Sequence, residues 1–335
     1  MMALDLPLIW AGLIALAVLI YVMLDGYDLG VGILFPTARS EQDRKLMMNS
    51  IAPVWDGNET WIVLSGGGLF AVFPLAYAIV MPALYVPVIA MLLGLVFRGV
   101  SFEYRWRSET WRPLWDRAFF AGSTVAALCQ GIIIGALLQG VEVQDRAYAG
   151  GWFDWLTPFS VFCGLAVVVG YALLGATWLI LKTEGDLQKR MRGLAHGLGA
   201  GTLALIAAVT VATLWLMPIY SERWFTFPAA LYSYAVPVLL MTLAVSLYQG
   251  LLRHRDLQPF LSAQGLFIAC FIGIVISFYP QMIPPSVSLY AAAAPDDSLA
   301  FALVGAVVLL PMILAYTGYS YWVFRGKIDP DEGYH

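Results

Sequence analysis

The chain has 335 residues, of which 61% are hydrophobic and only 12% charged, and its net charge is −4. A soluble globular domain carries about twice that share of charged residues. Composition therefore excludes an ordinary soluble protein and favours an all-α polytopic membrane protein.

Apolar runs follow one another along the chain, and each is long enough to cross the hydrocarbon layer as a helix of about 20 residues. No connection between them is long enough for a soluble domain, so residues 1–335 are predicted to form a single integral membrane domain. We predict nine membrane-spanning helices, at about 8–35, 52–72, 77–98, 118–140, 158–181, 194–217, 229–251, 260–279 and 299–324.

Basic residues fall in alternate connections of this layout. Sixteen of the 18 lysines and arginines lie after the first, third, fifth, seventh or ninth run, and only Arg146 and Arg223 lie elsewhere. Because cytoplasmic loops are enriched in basic residues, the N-terminus is predicted to lie outside and the C-terminus in the cytoplasm.

The acidic residues that interrupt apolar stretches are confined to the first third of the chain. Asp25 and Asp28 lie in LDGYDLGVG, residues 24–32, and Asp56 and Glu59 lie in NSIAPVWDGNETW, residues 49–61. A carboxylate inside a bilayer costs about 3 kcal/mol or more, so each needs a partner or a function. This asymmetry indicates proton or cation handling at one place.

The third run ends at Arg98, on the cytoplasmic side where Asp56 begins the second run. Asp25 and Asp28 are spaced i, i+3 and share one helix face near the same depth. We therefore expect Arg98 to offset the cost of at least one carboxylate. A purely structural clamp between helices is the alternative, and Glu59 is a further candidate for either role.

Small residues predict where helices approach closely. Gly26 and Gly30 form a GxxxG step beside the acids, Gly131 and Gly135 form another, and Gly193, Gly197 and Gly201 form a double step. Such steps allow close contact of membrane helices.

The histidines argue against a haem bound by this chain. Of His196, His254 and His335, only His196 lies near a predicted span, whereas a six-coordinate haem needs two facing axial ligands. Since no metal-ligand pattern is evident either, chemistry beyond proton movement is expected to come from a partner.

Several motifs resemble subunit II of the cytochrome bd-type quinol oxidases, a group that includes the cyanide-insensitive oxidases. They are DGYDLGVG, NSIAPVWDGNETW, FRGVSFEYR after the third run, WDRAFFAGS in the fourth and VLLPMILAYTGYSYWVFRGKI at the end. The resemblance runs from end to end of the chain.

The resemblance implies two four-helix bundles, at about 8–140 and 158–279, plus a peripheral helix at about 299–324. It implies a heterodimer in the bacterial cytoplasmic (inner) membrane with a subunit I that carries the haems b and d, while this chain carries no haem. It leaves open a structural quinone and a small accessory subunit, and it implies lipid and quinone but no nucleic acid as other partners.

The same resemblance implies roles for particular residues. Asp25, Asp28, Asp56 and Arg98 match the family's proton pathway, and Trp61 matches a residue linked to the oxygen route near the subunit interface. No catalytic residue is implied in this chain.

The resulting hypothesis is a haem-free subunit of a quinol-oxidising, oxygen-reducing complex, which stabilises the haem subunit and contributes a cytoplasmic proton path. Two alternative functions remain: a proton- or cation-coupled secondary transporter and a purely structural assembly subunit. A transporter usually carries its site at the midplane in both halves, whereas the last five predicted spans contain no buried carboxylate.

Overall fold

The computed structural model describes residues 4–107 and 109–328. Thirteen α-helices and four short strands lie in these ranges: α1 (Leu6–Leu34), α2 (Glu41–Asn49), α3 (Trp55–Val72), α4 (Pro74–Ala83), α5 (Tyr85–Arg107), α6 (Arg112–Gln139), β1 (Val143–Gln144), β2 (Ala147–Tyr148), α7 (Pro158–Lys182), α8 (Gly185–Leu216), α9 (Pro218–Phe225), α10 (Ala230–Leu252), α11 (Leu257–Phe278), β3 (Gln281–Ile283), β4 (Val287–Ser288), α12 (Leu289–Ala292) and α13 (Asp296–Val323). A 3₁₀ turn, Phe35–Thr37, extends α1.

Eight of these helices are long and apolar enough to cross a membrane, counting only the described residues. They correspond to all the predicted spans except the second, and they indicate a multi-pass membrane protein. Helix α3 has 18 residues, but the polar residues of its first turns lower its hydropathy, so it is not among the eight.

The third predicted span is wrong at its beginning. The apolar run 77–98 is divided, because α4 ends at Ala83 and Leu84 leaves the helical conformation with φ −117° and ψ 21°. Helix α4 begins at Pro74, which lacks an amide hydrogen and follows the non-helical Phe73. The span itself is α5, which begins at Tyr85 and continues to Arg107.

The helices pack in two groups that meet along α1, α6 and α7. Helices α1, α3, α5 and α6 form the first group, and α7, α8, α10 and α11 form the second. Helix α1 contacts α3, α6, α7, α11 and α13, so it lies at the centre of the molecule. The acidic segment of α1 is therefore enclosed on several sides.

Helix α13 lies at the periphery. It contacts α1 and α3, and of its 28 residues, all described, Leu299 alone is buried. The segment after it returns to the second group, where Lys327 Nζ donates to Asp256 Oδ2 over 2.7 Å and to Thr183 O over 2.9 Å. Ile328 N donates to Lys182 O over 2.9 Å. These contacts tether the end of α13 to the ends of α7 and α11.

Close glycine contacts occur both between the two groups and within the first group. A Cβ at Gly30 would lie 2.7 Å from Gly175 N on α7, and a Cβ at Gly94 would lie 2.7 Å from Gly122 O on α6. Backbones this close leave no room for a side chain, so the predicted contact at Gly30 is confirmed. Gly131 and Gly135 similarly meet Cys163 and Ser160 on α7.

The double step on α8 behaves differently. A Cβ at Gly193 or Gly197 would meet no atom within 4 Å, and one at Gly201 would make only an ordinary contact of 3.5 Å with Val169. The prediction that another helix packs closely along this face is wrong for the described part of the chain. The glycine spacing defines a smooth face but does not determine whether another helix covers it.

Candidate functional site

The predicted ion pair forms between α1 and α5. Arg98 Nη1 donates to Asp25 Oδ1 over 2.6 Å, and both side chains are fully buried. Arg98 Nη2 donates to Glu59 Oε2 on α3 over 3.1 Å, where the Glu59 side chain is a quarter exposed. One guanidinium therefore joins carboxylates from two helices, and Glu59 belongs to the site.

Close helix packing places Arg98 in this position. A Cβ at Gly122 on α6 would lie 3.0 Å from Arg98 N, so α5 is seated directly on α6 at this level. The side chain then extends toward α1 and α3, with its guanidinium 5.9 Å from the centroid of the Trp55 ring. An aromatic face stabilises a cation at such a distance.

Asp28 lies on the same face of α1 as Asp25 but has a different partner. Asn58 Nδ2 on α3 donates to Asp28 Oδ2 over 2.8 Å and lies 3.1 Å from the hydroxyl of Tyr27. Tyr321 on α13 donates to Asn58 Oδ1 over 2.9 Å and is hydrogen-bonded to Tyr27. Asp28 is thus connected through one amide to the peripheral helix.

Asp56 lies apart from these groups. It is exposed in the first turn of α3, at the edge of a cavity of about 810 Å³ between α3, α5 and α13. Asn58 and Tyr321 line the same cavity, together with Glu103 and Arg107. The cavity therefore extends from an exposed carboxylate to the two side chains that adjoin Asp28.

Trp61 is buried between α1 and α3. Its ring belongs to a small cluster with Ala17 and Tyr21, and its Nε1 has no hydrogen-bond partner among the described residues. Leu310 and Ile313 of α13 pack against this cluster from outside.

A second buried arginine, absent from the predicted site, lies nearer the loops. Arg105 is fully buried and donates to Asp116 Oδ1 over 2.5 Å and to Glu41 Oε1 over 2.9 Å. It joins α2, α5 and α6, and it explains why the polar helix α2 folds against the bundle. The FRGVSFEYR motif contains both buried arginines, so their shared face could have been inferred from the i, i+7 spacing.

Asn58, Tyr27 and Tyr321 were also missed as members of the site. Asn58 lies within the WDGNETW segment that was singled out for its acids, so only the emphasis on charge concealed it. Tyr321 is 294 residues from Tyr27 along the chain, and no local pattern joins them.

The described histidines lie in different surroundings. His196 is half-buried and its Nδ1 lies 2.8 Å from Arg192 O, while His254 lies exposed in the loop after α10. His335 lies outside the described residues. Within the described ranges, no group of three or more His, Cys, Asp or Glu side chains is arranged to hold a metal ion.

Sequence comparison decides the family. The sequence model described as cytochrome bd terminal oxidase subunit II matches residues 6–324. The chain belongs to this family. A cytochrome bd subunit II is part of a quinol oxidase, which is an oxidoreductase complex with a subunit I as partner.

Individual relatives agree with this assignment. The chain is 32% identical to the cytochrome bd-I ubiquinol oxidase subunit 2 of Escherichia coli K12, over 98% of this chain and 96% of the relative. It is 27% identical to the cytochrome bd ubiquinol oxidase subunit 2 of Bacillus subtilis 168, over 97% of each chain.

A solved structure shares the fold of this subunit II. A chain of the bd oxidase from Geobacillus thermodenitrificans superposes with a TM-score of 0.76 at 17% identity, covering 96% of this chain and 99% of that one. The match extends over the whole described architecture rather than over one bundle.

Proposed function

We propose that the chain is the haem-free subunit of its oxidase, that it stabilises the haem-bearing subunit I, and that it contributes a proton-uptake path from the cytoplasm. The single observation that carries the proposal is the buried acid cluster beside a polar cavity. Asp25 and Asp28 are fully buried, and Asp28 is one hydrogen-bonded amide from the cavity that Asp56 borders.

Charge balance supports proton handling within this cluster. Arg98 is the one cation that the described ion pairs place against Asp25 and Glu59, and Asp28 lies on the same face of α1. Three carboxyl groups facing one guanidinium in a low-dielectric interior cannot all be charged without a large cost. Sharing a proton among them relieves that cost, which is what a relay requires.

The proposed direction of uptake follows from the basic residues. The acid cluster, the cavity and Asp56 lie at the end of the molecule where Arg105, Arg112 and Arg190 cluster, and this end is assigned to the cytoplasm by the positive-inside rule. The N-terminus is then outside, and the nine-helix arrangement in the cytoplasmic (inner) membrane counts α3 as a span. Protons consumed when oxygen is reduced would enter beside Asp56 and pass by Asn58 to Asp28 and Asp25.

The haems b and d are assigned to subunit I because, of the two histidines among the described residues, only His196 lies in a spanning helix, whereas a six-coordinate haem needs two facing axial ligands. A haem supplies the electron transfer and oxygen chemistry, and this chain's residues hold and move protons. Trp61 is assigned to the oxygen route or the subunit interface. Its ring is buried between α1 and α3, where Leu310 and Ile313 of the peripheral helix α13 pack against it.

A resident quinone has a candidate site between the helices of the second group. A cavity of about 200 Å³ there is lined mostly by apolar side chains, among them Leu240, Phe267 and Phe271. Thr202 Oγ1 is buried at this cavity without a hydrogen-bond partner among the described residues. This lining suits an isoprenoid tail, and solvent extraction of the purified complex would test whether a quinone remains bound.

The experiment compares Asp56→Asn with Glu109→Gln in the whole complex. Both remove one carboxylate at the same end of the molecule, but Glu109 is 92% exposed and does not line the cavity. Asp56→Asn should slow oxygen consumption about a hundredfold or more while the haem content stays normal, because proton transfer by a positioned group gives effects of this order. Full turnover by Asp56→Asn would refute the uptake path.

The purely structural alternative is favoured by one observation, the fully buried Asp25–Arg98 pair, which also clamps α1 to α5. An Asp28→Asn/Asp56→Asn double variant separates the two functions. Assembly with slow turnover supports the relay, whereas loss of the complex with its haems supports a clamp.

A further inference from the structure

Lys182, the last residue of α7, is bonded to the end of the peripheral helix α13. Its Nζ donates to Phe324 O over 2.6 Å, and Lys182 is 8% exposed. Phe324 directly follows the last residue of α13. The last carbonyl groups of a helix have no partner within it, and lysine side chains often donate to them. A helix that packs against α1 and α3 of the first group is therefore capped by a side chain of the second group.

The capped end of α13 carries a side chain of the proposed site. Tyr321 precedes Phe324 by three residues, which is less than one helical turn. The Tyr321 hydroxyl donates to Asn58 Oδ1 over 2.9 Å, and Asn58 Nδ2 donates to Asp28 Oδ2 over 2.8 Å. The place at which Lys182 holds the end of α13 thus determines where Tyr321 meets Asn58.

A second contact of Lys182 supports the other phenol at Asn58. Lys182 Nζ lies 5.4 Å from the centroid of the Trp178 ring, which is one turn earlier on α7. Trp178 stacks on Tyr27 with the ring centroids 4.2 Å apart, and Asn58 Nδ2 lies 3.1 Å from the Tyr27 hydroxyl. Both phenols that contact the Asn58 amide are therefore braced from the same end of α7.

The orientation of the Asn58 amide depends on these phenols. An amide has a donor end and an acceptor end, and here the acceptor end receives the Tyr321 proton while the donor end faces Asp28. If Tyr321 withdrew, the acceptor end would lose this partner, and half a turn of the amide would present an oxygen to the Asp28 carboxyl group. The bond from Tyr321 therefore selects the orientation in which Asn58 donates to Asp28.

We propose that Lys182 is a positioning residue for Asn58 in the proton-uptake path. It holds the end of α13 so that Tyr321 stays bonded to Asn58 and Asn58 stays bonded to Asp28. Lys182 passes no proton to the acid itself, because Tyr321 and Asn58 lie between them. The inference rests on the proposed proton-uptake function, and it adds α7 of the second group to the helices that shape the path.

The test replaces Lys182 in the whole oxidase and measures oxygen consumption in ordinary and in heavy water. Lys182→Met keeps a straight side chain but removes the donor. Turnover should fall about tenfold at normal haem content, within the roughly hundredfold loss that a small misplacement far from the chemistry can cause. The slowing in heavy water should become larger, because proton transfer then limits more of the rate. Lys182→Arg keeps a donor and should restore most of the turnover.

A double variant shows whether Lys182 acts through Tyr321. Tyr321→Phe removes the donor to Asn58 but keeps the ring, and alone it should also slow turnover about tenfold. Residues that act through one network have non-additive effects, so Lys182→Met/Tyr321→Phe should be little slower than either single variant. Independent effects would instead multiply to about a hundredfold, which would overturn the positioning role.

Lys189→Met is the matched control for Lys182→Met. The Lys189 side chain is 80% exposed and its 3.6 Å pair with Asp186 lies on the surface, so this variant should keep wild-type turnover. Lys182→Gln has a side chain that is one bond shorter, and it serves where Lys182→Met assembles poorly. Hydrogen exchange at the Phe324 amide, which donates to Ser320 O, should be faster in either Lys182 variant.

The outcomes separate this inference from the function on which it rests. Normal turnover by Lys182→Met and Lys182→Gln, while Asp56→Asn and Asn58→Leu remain slow, overturns the positioning role alone. Full turnover by Asp56→Asn and Asn58→Leu overturns the uptake path, whereas faster exchange at Phe324 would still show that Lys182 holds the end of α13. A lower yield of complex with an unchanged heavy-water effect would make the role of Lys182 merely structural and overturn the proposal.

Discussion

Arg98 on α5 and Asp25 on α1 form a fully buried ion pair with a donor–acceptor distance of 2.6 Å. The second nitrogen of the same guanidinium reaches Glu59 on α3. Three helices of the first group are therefore joined at one charged point, which lies beside the close backbone contact of α5 with α6 at Gly122.

Replacing Arg98 with Gln should destabilise the subunit strongly. Removal of one partner of a buried pair leaves an uncompensated charge and costs about 3–5 kcal/mol. Thermal unfolding of the purified complex and its haem content measure the effect. Lys189→Gln is the matched control, because its side chain is 80% exposed and it makes only a 3.6 Å surface pair with Asp186. Equal stability of the two variants would contradict a buried, energetically important pair.

Replacing Asn58 with Leu should separate Asp28 from the cavity. The change keeps the approximate size of the side chain but removes the donor to Asp28 and the acceptor for Tyr321. We expect oxygen consumption to fall about a hundredfold in complexes with normal haem spectra, the lower end of the range for a positioned proton-transfer group, because Asp28 would lose its link to the cavity. Thr124→Val on the exposed side of α6 removes a hydroxyl bonded only within its own helix and should leave turnover unchanged. Normal turnover by Asn58→Leu would place the path elsewhere.

Two glycines that look alike in sequence should respond oppositely to alanine. Gly30→Ala would place a methyl group 2.7 Å from Gly175 N and still closer to Tyr171 O, and overpacking of this kind costs about 1–3 kcal/mol. Gly193→Ala meets open space and should be neutral or stabilise helix α8 by about 0.5–1 kcal/mol. The thermal midpoint of the complex distinguishes the two. A loss of stability in Gly193→Ala would indicate that a partner covers this face of α8.

The contrast between these glycines shows what the sequence could predict. Long apolar runs defined most spans to within a few residues, as in the fifth, predicted at 158–181 and observed as Pro158–Lys182. Charge cost inside a bilayer correctly paired Arg98 with an acid. A GxxxG step, however, describes only its own helix, so it succeeded at Gly30 and failed at Gly193.

The errors at α4 and in the polar network have similar causes. The residues around Leu84 are apolar on both sides of the break, so hydropathy does not reveal that one helix ends and another begins. The partner of Asp28 is an amide that is itself bonded to two phenols, and hydropathy and charge patterns single out none of these groups. Their association depends on how α1, α3 and α13 are placed in space, information that no local pattern carries.

The tether after α13 should be released by acid through Asp256, which lies outside the membrane-spanning helices. Burial tends to raise the pKa of Asp256, but hydrogen bonds from Lys327 and Arg192 outweigh it and hold the pKa below its usual value. A carboxyl group with a lowered folded-state pKa stabilises the fold above its ordinary value of about 3.9, and this contribution is lost as the pH falls through the lowered value.

Hydrogen exchange at Ile328, whose amide donates to Lys182 O, measures the release in the intact complex. Asp256→Asn keeps an acceptor but loses the charge, so it should exchange faster than the wild type near neutral pH. In the acidic range, where the wild-type tether opens, the two proteins should converge. Asp186→Asn, at a side chain that is 93% exposed, should match the wild type at every pH. Identical exchange in Asp256→Asn and the wild type near neutral pH would show that the backbone contacts alone hold the segment.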